Sequence, residues 1–334
     1  MTHKLLIIRG DGIGPEVVEA ALVVLARLGL DLELEEAPAG YACYQACGNP
    51  IPDSTIEAAR RAEATLFGAV TTPPDIPNYR SAVVTLRKSL DLYANLRPVR
   101  SLGLKGGHYR EGLDLYVVRE NTEGLYSGQE EDFGDKATAL RIITRHASER
   151  IVRYAFELAK KNGKRRVTIV HKANILRLSD GLFRRTALAV AEEYKADGIE
   201  AQELLVDTMA MRLIKDPENF EVIVTTNLFG DILSDEAAEL VGGLGLAASG
   251  NIGLNGAIFE PVHGSAPDIA GKGIANPLAT FLATAMLLQH INEAAASERL
   301  RQAVIKVIES GKVTPDLGGT ANTRQVLEQV IQVL

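Results

Sequence analysis

The sequence lacks the features of several protein classes. Its 334 residues include no tryptophan and two cysteines, and its net charge is -7. Because nucleic acids are bound by basic surfaces, we expect no nucleic-acid partner. No apolar run reaches the roughly 20 residues that span a membrane, so we expect no membrane partner either. The first residues lack the long apolar region and cleavage site of a secretory signal, which predicts a cytoplasmic protein.

The two cysteines, Cys43 and Cys47, lie four residues apart. No histidine or further cysteine stands at ligand spacing from them, so we interpret them as buried or incidental thiols. The remaining composition, 46% hydrophobic and 24% charged, is that of an ordinary globular protein. The chain is long enough for the cores of two domains.

Apolar segments typical of strands alternate with segments of helical spacing. The strand candidates are KLLIIRG, ATLFGAV, LDLYVVRE, RVTIVHK and FEVIVTTN. The helix candidates are 15–29, 53–63, 148–162, 180–195, 276–294, 297–311 and 321–333. This alternation predicts an α/β fold with a mainly parallel sheet. Ligands of such sheets bind at the carboxyl ends of the strands. The polar residues found there are Arg119, Glu120, His171, Lys172, Thr226 and Asn227.

Asp231 and Asp235 place two like charges one helical turn apart in the segment TTNLFGDILSDEAAELVGG. Such a pair costs a helix a few tenths of a kcal/mol. One interpretation is a helix start, with Gly230 in a loop, Asp231 as the cap and Asp235 near the positive end of the helix dipole. The other is a divalent cation bound between the carboxylates. The pair alone does not decide between them.

The segment RGDGIGPE, residues 9–16, lies between a strand and a helix, where glycine-rich turns bind phosphates. It lacks the G-x-G-x-x-G spacing of dinucleotide-binding turns, and Asp11 and Glu16 would repel a pyrophosphate. We therefore predict a tight backbone turn near a ligand and not a Rossmann fingerprint.

Three arginines, Arg87, Arg97 and Arg119, stand in apolar surroundings of an acidic chain. A purely structural role, an ion pair with Asp91 or Glu120, would explain each arginine taken alone. Arginine also grips carboxylates with two parallel hydrogen bonds. As a group beside a candidate metal site, the arginines favour a dicarboxylate or tricarboxylate substrate.

Two further features suit chemistry at the same place. Tyr126 and Lys172 are ordinarily a packing and a surface residue, but beside a metal they become candidates for proton transfer. Residues 259–277 form a long loop rich in small residues, which lets backbone approach a flat ligand closely. We do not interpret His263 of this loop as the base of a catalytic triad, because no Ser-His-Asp arrangement is visible.

Six segments together resemble the β-decarboxylating dehydrogenases, the family of isocitrate, 3-isopropylmalate, homoisocitrate, tartrate and D-malate dehydrogenases. They are GDGIGPE, LRKSLDLYANLRP, VRENTEGLYSG, HKANI, TTNLFGDILSD and HGSAPDIAGKGIANP, in the family's order over nearly the whole chain. The resemblance implies a doubly wound α/β fold that differs from a standard Rossmann fold. It implies a domain of 1–98 plus 249–334, a central domain of 99–248 with the dimer contact, and an active-site cleft between them. It also implies a homodimer, or a dimer of dimers, with shared active sites.

The resemblance also implies a role for individual residues. Substrate-binding residues would be Ser81, Arg87, Arg97, Arg119, Tyr126, Lys172 and Asn174. Asp231 and Asp235, with Asp207 of the partner subunit, would bind Mg²⁺ or Mn²⁺. Tyr126 and Lys172 of the partner subunit would be the catalytic acid–base pair. Cofactor-binding residues would be Thr72, Asn174, Glu260, His263, Gly264, Ser265, Ala266, Asp268, Ile269 and Asn276.

The implied reaction is the oxidative decarboxylation of a (2R,3S)-2-hydroxy acid. NADP-using isocitrate relatives carry Lys and Tyr where this chain has Asp268 and Ile269. A carboxylate there accepts hydrogen bonds from a ribose and repels a 2′-phosphate, so we expect NAD.

The segment YRSAVVTLR bears on the substrate. Arg80 and Ser81 suit a distal carboxylate, as in isocitrate and homoisocitrate members, whereas Val83 and Val84 suit an isopropyl group. Some homoisocitrate enzymes carry arginine at the place of Val84. We rank homoisocitrate first, as in lysine biosynthesis through aminoadipate, then 3-isopropylmalate of leucine biosynthesis, then isocitrate, with overlap expected. A non-catalytic regulatory subunit is the remote alternative.

Overall fold

The computed structural model describes residues 2–76, 79–104, 106 and 108–334. The chain forms two compact units. The first unit comprises Met1–Asp91, Leu102–Glu111 and Gly242–Leu334, and the second comprises Leu92–Ser101 and Gly112–Val241. Among the described residues, no helix has both the length and the apolar character that a membrane crossing requires.

Strands and helices alternate along the chain. The strands are β1 (His3–Ile8), β2 (Leu32–Glu36), β3 (Ala64–Phe67), β4 (Ala94–Arg100), β5 (Asp114–Glu120), β6 (Glu130–Asp132), β7 (Ala137–Ala139), β8 (Arg166–His171), β9 (Glu200–Leu205), β10 (Val222–Thr225), β11 (Ala248–Ile252) and β12 (Ala257–Pro261). The helices are α1 (Gly14–Leu28), α2 (Tyr41–Cys47), α3 (Asp53–Arg61), α4 (Ala82–Ser89), α5 (Arg145–Lys161), α6 (Ser179–Glu193), α7 (Val206–Lys215), α8 (Asn227–Glu239), α9 (Leu278–His290), α10 (Ala294–Glu309) and α11 (Thr323–Val333).

In the first unit the strand order is β2-β1-β3-β12-β11. The strands run parallel except β11, which is antiparallel to β12. Helix α1 begins with Pro15 in its first turn and ends at Gly29, whose left-handed φ of 72° a glycine adopts without strain. Its apolar face joins α9, α10 and α11 in one core against the strands.

In the second unit the strand order is β4-β5-β10-β8-β9. Strands β5, β10, β8 and β9 are parallel, β4 is antiparallel to β5, and β6 and β7 form a separate antiparallel ribbon. The central strands β5, β8 and β10 are buried along most of their length, which explains their continuous apolar sequences. Because these strands are parallel, the polar residues that follow them lie at one edge of the sheet, as the sequence predicts.

The predicted helices are present, with ends that differ by a few residues. Helices α4 and α7 were not predicted, and α7 begins at Val206 directly after β9, with no turn residue to signal a boundary. Edge strand β2, with the sequence LELEE, was not predicted because charged side chains replace the apolar run of a buried strand.

Candidate active site

Asp231 and Asp235 lie on helix α8, which begins at Asn227 with Thr226 in the N-cap position. Asp231 is therefore in the second turn, and the interpretation of this residue as a helix cap is wrong. The helix dipole acts mainly on the first turn, so it does not explain the two carboxylates. Other side chains compensate the negative charges of Asp231 and Asp235.

Two buried arginines compensate the charge of this pair. Arg97 of β4 contacts the carboxylate of Asp235, lies 3.2 Å from that of Asp231, and donates to the hydroxyl of Ser234 at 2.8 Å. Arg119, at the end of β5, is 2% exposed and contacts the same oxygen of Asp231. The described ion pairs of Arg97 and Arg119 are thus made with carboxylates of α8.

Arg119 is held rigidly by its neighbours. Asn227 accepts hydrogen bonds from its Nε at 3.0 Å and its Nη2 at 2.8 Å. A Cβ atom at Gly230 would lie 2.6 Å from the Cβ of Arg119, so only glycine permits this close approach of α8 to β5. The sequence marked Asn227 as a polar residue after a strand but gave it no role, because the bond joins positions 108 residues apart.

Tyr126 completes this cluster. Its phenol donates to the carboxylate of Asp231, and its ring centroid lies 4.9 Å from the guanidinium carbon of Arg119. Burial raises the pKa of the Tyr126 phenol, and the hydrogen bond to Asp231 raises it further. The phenol therefore keeps its proton near neutral pH.

Lys172 and Asp207 form a separate pair in the second unit. The ammonium of Lys172, just after β8, donates to the carboxylate of Asp207 near the start of α7. This hydrogen bond lowers the pKa of Asp207. Asn174 is exposed in the turn after Lys172. Lys172 and Asp207, which the resemblance assigns to the active site of the neighbouring subunit, thus contact each other.

A possible metal site of the second unit has two carboxylate ligands from one chain. In the part of the chain that the structure describes, no three side chains of His, Cys, Asp or Glu group closely enough to hold a metal ion. Asp231 and Asp235 offer two hard oxygen donors on one rigid face, which suits Mg²⁺ or Mn²⁺. A third carboxylate would have to come from elsewhere.

The GDGIG turn of the first unit is tightly packed against neighbouring backbone. A Cβ at Gly12, where φ is 58°, would lie 2.0 Å from the carbonyl oxygen of Ser265. The next amide, of Ile13, donates to that same carbonyl at 2.9 Å. The turn thus fixes the loop that follows β12.

Asp11 of this turn has a role that the sequence did not reveal. Its buried carboxylate accepts backbone hydrogen bonds from Tyr41 at 2.7 Å, Ala42 at 2.8 Å and Thr71 at 2.9 Å. The charge that would repel a pyrophosphate is therefore directed at the start of α2 and the loop after β3. Asp11 organises backbone around the turn.

The residues predicted to bind the cofactor lie mostly along one loop of the first unit. Ser265 is buried, and its hydroxyl lies 2.6 Å from that of Thr71. Ile269 packs against Ile13, Val17 and Ala275. Of the remaining predicted residues, Thr72, Gly264 and Asp268 are exposed, Ala266 has a φ of 37°, and Asn276 is buried and donates to Asp316 at 2.8 Å.

His263 in this loop has an unused ring nitrogen. Burial lowers the pKa of its imidazole, so the ring is neutral near pH 7. Nδ1 lies 3.1 Å from the carbonyl of Gly264, whereas Nε2 is buried and has no hydrogen-bond partner in the described structure. With Nδ1 as donor, Nε2 is free to accept from an amino group such as that of adenine.

Arg87 of α4 also has spare hydrogen-bonding capacity. Its Nη2 donates to Glu260 at 2.7 Å, and the same carboxylate oxygen accepts from Asn251 at 2.7 Å. The buried Nε of Arg87 has no partner among the described residues. Ser81 occupies the N-cap position of the same helix without a side-chain cap bond. Both groups can therefore serve a polar ligand.

Comparison with known proteins gives a consistent result over the whole chain. The model of the isocitrate/isopropylmalate dehydrogenase family matches residues 4–330. A homoisocitrate dehydrogenase of Methanocaldococcus jannaschii is 49% identical over 342 residues, which cover 99% of this chain and 97% of that protein. A 3-isopropylmalate dehydrogenase of Methanothermobacter thermautotrophicus is 51% identical over 331 residues, covering 99% and 98%.

Among solved structures, the crystal structure of isocitrate dehydrogenase from Methylococcus capsulatus has a TM-score of 0.94 and 46% identity, and 99% of each chain is covered. These matches confirm the α/β fold, which the alternation of strands and helices predicts, and they confirm the resemblance to this family. The chain belongs to the isocitrate/isopropylmalate dehydrogenase family.

Proposed function

We propose that this dehydrogenase uses NAD⁺ and a divalent cation to decarboxylate a 2-hydroxy acid oxidatively, with homoisocitrate as the preferred substrate and 2-oxoadipate and CO₂ as products. The observation that carries the proposal is the convergence of Arg97, Arg119 and Tyr126 on the carboxylate of Asp231. It brings together groups for carboxylate binding, metal binding and proton transfer. A non-catalytic relative would not need all three kinds of group.

Asp231 and Asp235, with Asp207 of the partner subunit, would hold Mg²⁺ or Mn²⁺. The contact of Lys172 with Asp207 supports a shared site, because both residues would enter it together. When bound, the cation would act as a Lewis acid at the substrate's hydroxyl and carboxylate oxygens.

The shared site requires a homodimer. Several apolar side chains of the second unit are more than half exposed, an arrangement that favours burial against another chain. They are Ile175 at 68%, Leu178 at 86%, Met211 at 57%, Ile214 at 60% and Ile232 at 58%. We propose a second copy as the partner and a cytoplasmic location, with no nucleic-acid or membrane partner.

The side chains would divide the work as follows. Arg87, Arg97 and Arg119 would hold carboxylates of the substrate. Lys172 of the partner subunit, in its neutral amine form, would take the proton of the 2-hydroxyl. When bound beside the loop after β12, NAD⁺ would supply an acceptor for the hydride of the carbon that bears this hydroxyl. Tyr126 would then donate its phenolic proton to the carbon that has lost CO₂. The hydrogen bond from Tyr126 to Asp231 supports its assignment as the acid, because it holds the phenol beside a proposed metal ligand.

The loop after β12 supports a dinucleotide cofactor. The partnerless Nε2 of His263 offers an acceptor for adenine, and exposed Asp268 offers a carboxylate to a ribose. An anionic side chain there opposes the additional phosphate of NADP⁺, which favours NAD⁺.

Helix α4 bears on the choice of acid. Ser81, Val84 and Arg87 follow one another at three-residue spacing and therefore share a face. Ser81 supports a distal carboxylate, and so homoisocitrate. Apolar Val84 on the same face favours 3-isopropylmalate as the second candidate, and relatives with either activity are about equally similar.

The test is the initial rate of NADH formation with homoisocitrate, 3-isopropylmalate and isocitrate, each with Mg²⁺, with Mn²⁺ and with EDTA. We expect metal-dependent turnover with the highest kcat/KM for homoisocitrate. A higher value for 3-isopropylmalate would refute the substrate assignment alone. Absence of metal-dependent turnover with all three, and with malate and tartrate, would refute the proposed reaction.

A further inference from the structure

A buried ion pair of the second unit lies among the elements that carry the proposed catalytic residues. Arg141 follows the β6–β7 ribbon, and its guanidinium contacts the carboxylate of Asp180 on α6. The side chain of Asp180 is fully buried and that of Arg141 is 14% exposed. A buried pair of this kind is weak evidence for stability, because desolvation offsets much of the attraction. Its contacts indicate another use.

The pair fixes the backbone that carries Lys172. The second carboxylate oxygen of Asp180 accepts the amide hydrogen of Lys172 at 2.6 Å. The Lys172 amide follows immediately after β8, where the chain leaves the sheet. Arg141, by holding Asp180, therefore sets the place from which the Lys172 side chain extends.

The same guanidinium fixes the start of α8. Its Nη2 donates to the hydroxyl of Thr226, the N-cap residue, at 2.9 Å. Its carbon lies 4.9 Å from the ring centroid of Phe229 in the first turn. Helix α8 carries Asp231 and Asp235, so one planar group contacts both the metal-binding helix and the support of Lys172.

The backbone beside Arg141 is paired with the segment that carries Tyr126. Gly124 and Ile142 form an isolated antiparallel bridge, in which the Gly124 amide donates to the Ile142 carbonyl at 2.9 Å. The hydroxyl of Ser127 lies 3.4 Å from the carbonyl of Leu140. Arg141 thus lies between two residues that hold the Tyr126 turn.

We propose that Arg141 and Asp180 are positioning residues, which set the relative placement of Tyr126, Lys172 and the aspartates of α8. The inference rests on the proposed function, since it concerns groups given roles there. In a dimer with shared sites, the Asp231 and the Lys172 of one chain would belong to different active sites. The Arg141–Asp180 pair therefore connects the two sites through each chain.

The chemistry explains why arginine is needed. A guanidinium donates in several directions in one plane and also stacks on an aromatic ring. A lysine would keep the charge beside Asp180 but would not reach Thr226 and stack on Phe229 at the same time. Arg141→Lys therefore removes the positioning and leaves Asp180 with a cation.

The experiment compares Arg141→Lys with wild-type enzyme on its best substrate with Mn²⁺. We expect kcat to fall by about tenfold or more, because small misplacements of catalytic groups have large effects on rate. The KM for NAD⁺ should not change, since the cofactor loop lies in the first unit. Thr226→Val, which removes one acceptor of Arg141 and keeps the side chain's shape, should lower kcat in the same direction and by less.

Asp114→Asn is the matched control. It removes ion pairs to Arg100 and Lys164 at the opposite end of β5, so it should lower Tm without lowering kcat. If both Arg141→Lys and Thr226→Val lower Tm but keep the wild-type kcat, the proposal is wrong. It is also wrong if kcat and the KM for NAD⁺ worsen together. A wild-type enzyme without turnover would instead refute the proposed reaction.

Discussion

The phenol of Tyr126 donates a hydrogen bond to the carboxylate of Asp231. The two residues are 105 positions apart, on a 3-10 turn after β5 and on helix α8. The contact joins a proton donor to a candidate metal ligand. It therefore gives the first prediction for the proposed reaction.

Tyr126→Phe should lower kcat by about 10²-fold or more, the usual loss on removing a general acid. Affinities for Mn²⁺ and NAD⁺ should stay close to wild type, because the phenol is assigned to neither. Calorimetric titrations and steady-state rates measure these quantities. Tyr194→Phe is the control, since it also removes a phenol–carboxylate bond, to Glu157 at 2.7 Å. Equal loss of rate and of both affinities in Tyr126→Phe would mean that the residue is structural.

Asp235→Asn should weaken Mn²⁺ binding by about tenfold or more, since fewer charged ligands lower the affinity for hard cations. The carboxylate is 52% exposed, so the substitution should leave the fold intact. Titration of Mn²⁺ into the protein measures the affinity. Asp216→Asn removes an aspartate paired with Arg212 elsewhere in the same unit and should not affect binding. Unchanged affinity in Asp235→Asn would remove this residue from the proposed metal site.

The sequence was sufficient for local features of the fold. Strands β5, β8 and β10 could be predicted because buried parallel strands are continuous apolar runs, and α1 because Pro15 and Gly29 mark its ends. The family could be identified because several motifs occur in one order. Each of these signals lies within a short stretch of chain.

The contacts of the site could not be predicted in the same way. The bonds from Asp11 to Thr71 and from Arg119 to Asn227 join distant positions whose residue types have no distinctive pattern. Asp231 was ambiguous because the start of α8 decides whether it caps the helix, and helix ends are the least certain feature of a sequence. Tertiary packing, and not local preference, determines these partners.

Asp268→Lys should shift the preference of the enzyme from NAD⁺ towards NADP⁺. The carboxylate that would repel a 2′-phosphate is replaced by a cation that attracts it. The measurement is the ratio of kcat/KM for the two cofactors. Glu328→Lys, an equal charge change at an exposed position of α11, is the control for the overall electrostatic field of the protein. The same ratio in wild type and Asp268→Lys would show that this position does not select the cofactor.

Val84→Arg should raise the preference for homoisocitrate over 3-isopropylmalate. Val84 shares a face of α4 with Ser81 and Arg87, so an arginine there would add a cation for a distal carboxylate and fill space that an isopropyl group needs. We expect a shift of about 10- to 100-fold in the ratio of kcat/KM values, the range for small changes in a substrate pocket.

Ser89→Arg is the matched control for this substitution. Five residues along a helix are a rotation of about 140°, so the new side chain would point to a different face of α4. Both variants add the same charge to the same helix, and a Tm measurement checks that each is folded. A shift confined to Val84→Arg supports the pocket assigned to this face. An equal shift in both variants would mean that net charge, and not the position of the cation, changes the substrate preference.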